Sequence, residues 1–439
     1  MKNRKAKLIL PIAALILAAG LSACSSGGEG AGDNTKGAAP APAEEKLEPV
    51  ELTVYGGRYV SEEQFMETYG KHLQKKYPHM SFKVYGNMTA ANIVTTGMPI
   101  DIFFSDPVAY PRDLAQFGLA YDMSALIGEF KFDVSRLHPG PIQVMKDTFN
   151  MGVTGLPLSM RNVVLHYNKD LFNKFGVTPP RDGMTWDEVY ELARKMTRQE
   201  NGVKYRGIDF SAHIIDYNQL SLGTVDPKME RASVNTDPWG DLVRNFARFY
   251  QITGNEVGTE EAKDVMDWKR FGEQGITAMN GTTFYPPSAV KGLFDMDYAQ
   301  LPSFPSKPGV GSQSPSTYIG LTSSTKHHKE AFRAIEYLLS AEFQTMLSRS
   351  GTMSALQDPA VNAVFGADIP ELQGKNAKAA LPTKPADPAP LSKHSNSVQA
   401  NLWTPLLQVF TGAVDPNTGL RNMEESINKK LDELKATMK

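Results

Sequence analysis

The sequence has 439 residues, with 46 Lys and Arg against 48 Asp and Glu, 41% hydrophobic residues, four tryptophans and one cysteine. This balance argues against a nucleic-acid partner and against a polybasic membrane-surface protein, and a lone cysteine excludes an intramolecular disulfide. The length suffices for two ordinary domains.

In chain order, Lys2, Arg4, Lys5 and Lys7 precede a largely apolar run over residues 8–21, and Leu21-Ser22-Ala23-Cys24 comes next. A basic start, an apolar run too short for an ordinary membrane span and small residues before a cleavage point predict an export signal over residues 1–23. Its removal leaves 42 basic against 48 acidic residues. Residues 24–48 are rich in Gly, Ala, Pro and Ser, lack the apolar side chains that offset ordering entropy, and read as a flexible tether.

Order is predicted to begin at Glu51. Leu52 and Val54 alternate with polar neighbours as in a strand, which Gly56-Gly57 ends. Ser61 and Gln64 have capping-box spacing, and Phe65, Tyr69 and Leu73 recur at helical intervals before Pro78. Further strands are expected at residues 80–85 and 100–104, the second apolar on both faces. Strand and helix in alternation predict a parallel α/β sheet, whose ligands sit beyond the carboxyl ends of the strands. Arg58 and Tyr59 come directly after the first strand, and Ser105 and Asp106 after the third.

Residues 155–158 lead into a buried-looking strand at 162–167. Thr185 and Glu188 form a second capping box, with Val189, Leu192, Ala193 and Met196 as the apolar stripe behind it. A strand resumes at 207–210. Amphipathic helices are expected around Trp239–Tyr250, Ala331–Leu339 and Ile427–Leu434, and the Lys- and Pro-rich stretch 374–392 reads as an exposed loop.

Several motifs together resemble one family. They are the Leu-Ser-Ala-Cys24 ending, the Glu-Leu-Thr-Val-Tyr55 strand, Tyr77-Pro78, Gly155-Leu156-Pro157, residues 167–172 (Tyr-Asn-Lys-Asp-Leu-Phe), and Thr185-Trp186-Asp187-Glu188. Gly275-Ile-Thr-Ala-Met-Asn-Gly281, Leu301-Pro302 and the helix after Ser323 continue the pattern. The chain is similar to the family 1 extracellular solute-binding proteins of ABC importers, whose best-known relatives bind maltose and other oligosaccharides. That resemblance implies a two-lobed, periplasmic-binding-protein-like fold of type II with a ligand cleft between α/β lobes. It places lobe 1 at 49–160 and 300–345, and lobe 2 at 161–299 and 346–439. It implies lipidation of Cys24, a carbohydrate solute, permease subunits of an ABC importer as partners, no cofactor and no catalysis. The tether fits a cell without an outer membrane, with the receptor held on the outer face of the cell membrane.

Sugar recognition needs aromatic faces for the apolar side of a pyranose and paired polar groups for its hydroxyls. Arg58 and Tyr59 are candidate contacts by the end-of-strand rule, or else part of a solvated turn. Asp106 is a contact or a helix N-cap before Pro107. Arg161 precedes the crossover strand where sugar-binding relatives often carry an acid, which keeps a uronic acid in play; its alternative is a hinge ion pair. Tyr285 lies just after the Ala-Met-Asn-Gly strand, where relatives place a stacking aromatic. Trp403 sits beside the Leu402, Leu406, Val409 stripe, and Asp216 with Tyr217 comes after the 207–210 strand. Trp186 and Trp239 read as core residues. The sequence has no His-Glu-x-x-His, Gly-x-Ser-x-Gly or Cys/His metal spacing. The alternatives are a receptor for a non-sugar solute and, from another class, a carbohydrate-processing envelope lipoprotein, which would need two carboxylates poised across one cleft.

Overall fold

A computed structural model describes residues 48–57, 60–259, 268–381, 384–392 and 394–437. The export signal, the tether, Cys24, Arg58 and Tyr59 lie outside the described residues. Among the described residues there are thirteen strands: β1 Val50–Tyr55, β2 Met80–Tyr85, β3 Ile102–Ser105, β4 Leu156–Met160, β5 Val163–Asn168, β6 Arg198–Glu200 and β7 Val203–Phe210, then β8 Val225–Asp226, β9 Arg231–Ala232, β10 Thr277–Thr283, β11 Met296–Ala299, β12 Ser316–Leu321 and β13 Met353–Ser354.

They form two main sheets. The first has the order β13-β4-β12-β3-β1-β2, parallel at β1–β2 and β1–β3 and antiparallel around β12. The second has the order β11-β5-β10-β7-β6, parallel at β10–β7 and antiparallel on both sides of β5. Each sheet has its own apolar core. Leu52, Val54, Ile102, Phe332 and Ile335 are in the first; Trp186, Phe210, Trp239, Phe246 and Leu406 are in the second. This is the two-lobed α/β architecture the sequence implied.

Local signals are realised where they were strongest. Ser61 and Gln64 close a reciprocal capping box, and so do Thr185 and Glu188, satisfying backbone N–H groups that a helix start leaves without partners. Between Met66 and Gly70 the first helix widens into a π turn, which the periodicity of Phe65, Tyr69 and Leu73 did not reveal.

The chain passes between the sheets at Arg161-Asn162, between β4 and β5, and again between β11 and β12. Asn162 is buried there, donating to the Ala380 carbonyl at 3.1 Å and accepting from the Ser314 hydroxyl. Two lobe boundaries differ from the sequence expectation. Leu301 and Phe304 pack in the second core, so residues 300–304 do not belong to the first lobe. The chain also remains with the first lobe beyond residue 345. Ser340 caps a further helix, Ala341–Arg349, whose buried Gln344 donates to the Leu158 and Leu338 carbonyls and accepts from Ser354 and Ala355. That amide holds β13 against β4.

The stretch 374–392 also departs from its expected exposure. Ala377, Ala379, Ala380, Ala386 and Ser392 are buried. Ala386 N–H donates to Ser312 and Ala389 N–H to the Gln313 side chain, which fastens the stretch to the second crossing. Its small apolar residues can be covered in a way that a lysine-rich loop cannot.

Candidate functional site: a cavity between the lobes

Helices, one strand and irregular segments of both lobes line the interlobe cavity. Its volume is about 190 Å³. From the first lobe come Pro107 and Val108 ahead of the helix Ala109–Gln116, Pro141 and Val144 of the helix Pro139–Phe149, and Tyr318 of β12. From the second come Asp216, Tyr217, Thr224, Ser395, Asn396 and Gln399. Residues 313–315 of the second crossing and 388–391 of the proline-rich stretch complete the wall.

Gln313 organises much of this wall. Its backbone N–H donates to Tyr217, its side-chain N–H donates to the Asn218 carbonyl at 3.0 Å, and its side-chain oxygen accepts from Ala389 at 2.7 Å. Asn396 reaches across the lobes, donating to the Val108 carbonyl at 2.8 Å. Pro388 lies over Gly140, where an added Cβ would stand 3.0 Å from the Pro388 ring. Pro390 lies over Gly223 in the second lobe, where a Cβ would stand 2.7 Å from its carbonyl oxygen.

Asp216 ends the short helix His213–Asp216 that comes after β7. Burial raises its carboxyl to about 6, opposed by a hydrogen bond with Gln399. Burial, together with the neighbouring Asp216 charge, raises the Tyr217 phenol to about 12. The Tyr217 ring stacks on His213 with centroids 5.4 Å apart and planes 10° from parallel. His213 is shifted below the usual imidazole range by burial and by Arg161.

The sequence candidates separate in space. Asp216 lines the cavity. Asp106 accepts from the Val108 and Ala109 N–H groups at 2.9 and 2.8 Å, so one of its oxygens is committed to the helix cap just behind the wall. Arg161 is exposed at the first crossing, its N–H bound to the Pro315 carbonyl at 2.9 Å. Its charge is felt by Tyr69 in the first lobe and by His213 and Tyr217 in the second, which puts it in the opening between them. Tyr285 and Trp403 are not brought to the cavity. Tyr285 packs on Trp268 at 4.8 Å, and its N–H donates to His166 Nε2. Trp403 packs against the second core; from its helix, Gln399–Phe410, the cavity receives Gln399 and Leu402. Trp239 is a core residue as expected, with its indole N–H bound to Gly223, yet one edge also reaches the cavity.

Gln399, Asn396, Gln313 and residues 388–391 were not singled out from the sequence. The run Pro388-Ala-Pro-Leu391, apolar inside a lysine-rich stretch, was the available signal for the last of these. Among the described residues no three His, Cys, Asp or Glu side chains cluster as metal ligands, and no helix is long and apolar enough to cross a membrane.

Comparison with known proteins places this geometry. Residues 61–345 match the family of bacterial extracellular solute-binding proteins. An uncharacterized ABC transporter extracellular-binding protein of Pyrococcus horikoshii is 26% identical over 211 residues, 44% of this chain and 43% of that protein, so the match spans under half of that relative's length. Among solved structures, an ABC substrate-binding protein from Listeria monocytogenes in complex with cycloalternan superposes with a TM-score of 0.70 at 19% identity, covering 88% of this chain and 100% of the other. A cyclic alpha-maltosyl-1,6-maltose binding protein from Arthrobacter globiformis gives a TM-score of 0.70 at 15% identity, with 88% and 100% covered. At such identities the likeness establishes the two-lobed fold.

Proposed function

Because the chain belongs to the family of bacterial extracellular solute-binding proteins, we propose that it is the receptor of an ABC importer, capturing a carbohydrate by lobe closure and delivering it to permease subunits. The observation that carries this reading is the cavity whose wall is shared by both lobes and the crossing segments. A solute held there touches both lobes only when they are closed. It therefore shifts the hinge equilibrium by the free energy of those extra contacts. The sugars named for the Listeria and Arthrobacter proteins support a carbohydrate as the solute class. The Leu-Ser-Ala-Cys24 ending and the tether after it support a lipid anchor that keeps the receptor beside its permease while leaving it free to open and dock.

The test is a thermal-shift panel of neutral, amino and acidic mono- and oligosaccharides, polyamines and peptides. Scattering should confirm closure with any solute that binds. A solute at 100 times its Kd stabilises the protein by about 2.7 kcal/mol. Shifts confined to peptides or polyamines would refute the carbohydrate assignment. A shift without compaction would refute capture by closure.

A further inference from the structure

The cavity is unusual in its charge. Among its described lining residues Asp216 is the single side chain that carries a formal charge. The elements packed around it are apolar or neutral: Pro107, Val108, Pro141 and Val144 from the first lobe, the 388–391 run, and Gln399 with Leu402 from the next helix. On its own turn, Ile215 is apolar and Tyr217 holds its proton, since burial raises the phenol. His213, on the same turn, is occupied with Ser211 at 3.1 Å and Thr282 at 3.4 Å and is shifted toward its neutral form. Beyond the wall, Asp387 and His394 adjoin the lining residues Pro388 and Ser395, His394 turning to Glu230 at 4.0 Å. Asp106 and Arg161, also beyond it, act on Tyr217 with opposite sign, and the shift of Asp216 comes from burial and Gln399 alone.

We propose that the solute seated in this cavity carries a protonated amine that pairs with Asp216. The inference rests on the cavity being the solute site, and it names an amino sugar or its oligomers as the chemical class. Asp216 lines the cavity with one hydrogen bond assigned to its carboxyl, that with Gln399, and a carboxylate can accept several more. A carboxylate in an apolar enclosure is stabilised by a paired cation, the described wall holds none, and a bound ammonium supplies one. An ammonium supplies a full countercharge and three donors. A neutral hydroxyl supplies donors but no countercharge, and a uronate would bring a second negative charge to the same wall. Arg161, which suggested a uronic acid from sequence alone, stands outside the wall.

Calorimetry on the full chain at pH 7.5 tests this with four probes: the glucosamine trimer, its N-acetylated counterpart, trigalacturonate and spermidine. The glucosamine trimer is expected to bind at least tenfold more tightly than the acetylated trimer, and trigalacturonate not to bind. Asp216→Asn should erase that preference. A second readout needs no variant: with an ionisation near 6, affinity for the protonated amine, corrected for the probe's own titration, should fall about tenfold between pH 7.5 and 5 as Asp216 takes up a proton. Equal binding of the acetylated trimer, or preferential binding of trigalacturonate, overturns the amine inference while the carbohydrate reading stands. Binding of spermidine alone, lost in Asp216→Asn, overturns the carbohydrate reading and supports the amine. Binding of none of the four overturns the amine inference and leaves the carbohydrate reading to the neutral sugars of the thermal-shift panel.

Discussion

The two lobes contribute different chemistry to the same cavity. The first lobe presents prolines, valines and the edge of Tyr318, whose hydroxyl is already donated to the Pro141 carbonyl at 3.1 Å. The second presents a carboxylate, a phenol, two amides and two hydroxyls, set among the apolar Ile215, Leu222, Trp239 and Leu402. Polar groups fix orientation and selectivity, whereas apolar cover mainly excludes water. Under the proposed function, this division assigns recognition to the second lobe and closing cover to the first.

The largest perturbation strikes the recognition lobe's scaffold. Trp186 is fully buried among Phe210, Phe246 and Phe249, with its indole N–H bound to Gln219 at 2.8 Å. Trp186→Ala should cost about 3–5 kcal/mol in denaturant unfolding and take solute binding with it. The corresponding loss in the cover lobe, Phe332→Ala, is expected to cost a similar amount while leaving weak binding at the second lobe. Equal loss of binding in both variants, with each still folded, would erase the proposed division.

A smaller effect comes from Asp216. Its native ionisation near 6 lies above the ordinary carboxyl value of 3.8, so the folded state holds the proton more tightly. The stabilisation is fully present below the unfolded value and is lost as pH rises through about 6; for this partly accessible group it amounts to no more than about 3 kcal/mol. Asp216→Asn should therefore flatten the unligated stability profile between pH 4 and 7. An unchanged profile would mean that the carboxylate is well solvated.

Closure can be tested apart from recognition. Gly140→Val adds a branched side chain under Pro388, where even a Cβ stands 3.0 Å from the ring. We expect solute affinity to fall about tenfold, roughly 1.4 kcal/mol, with unligated stability little changed. Asn396→Ala removes the hydrogen bond to Val108 and should weaken binding by about 1 kcal/mol, mainly through faster release. Val108→Ala, which trims only the cover, should have the smallest effect, within about threefold.

How much of the molecule was legible in its sequence depends on how local each signal was. The strand of Leu52 and Val54 and the capping boxes at Ser61 and Thr185 depend on neighbours within a few residues, and they appear where periodicity put them. Asp216 could be found because the end-of-strand rule needs only β7 and the turn after it. The rule does not say which way a side chain turns after a strand. Tyr285 comes after β10 as expected, but its N–H binds His166 of the antiparallel neighbour β5 and its ring goes to Trp268. Gln399, Asn396 and the 388–391 wall depend on contacts across tens to hundreds of residues, such as Gln313 to Ala389 and Asn396 to Val108. No local pattern encodes those distances.

The most direct test of the division between the lobes is a crystal structure of the full chain with the solute that gives the largest thermal shift. We expect polar contacts to Asp216, Tyr217 and Gln399 from the second lobe, with Pro107, Val108 and Pro141 covering the solute without side-chain hydrogen bonds. A solute held chiefly by Arg161 and polar side chains of the first lobe, or seated against Tyr285 and Trp268, would contradict it.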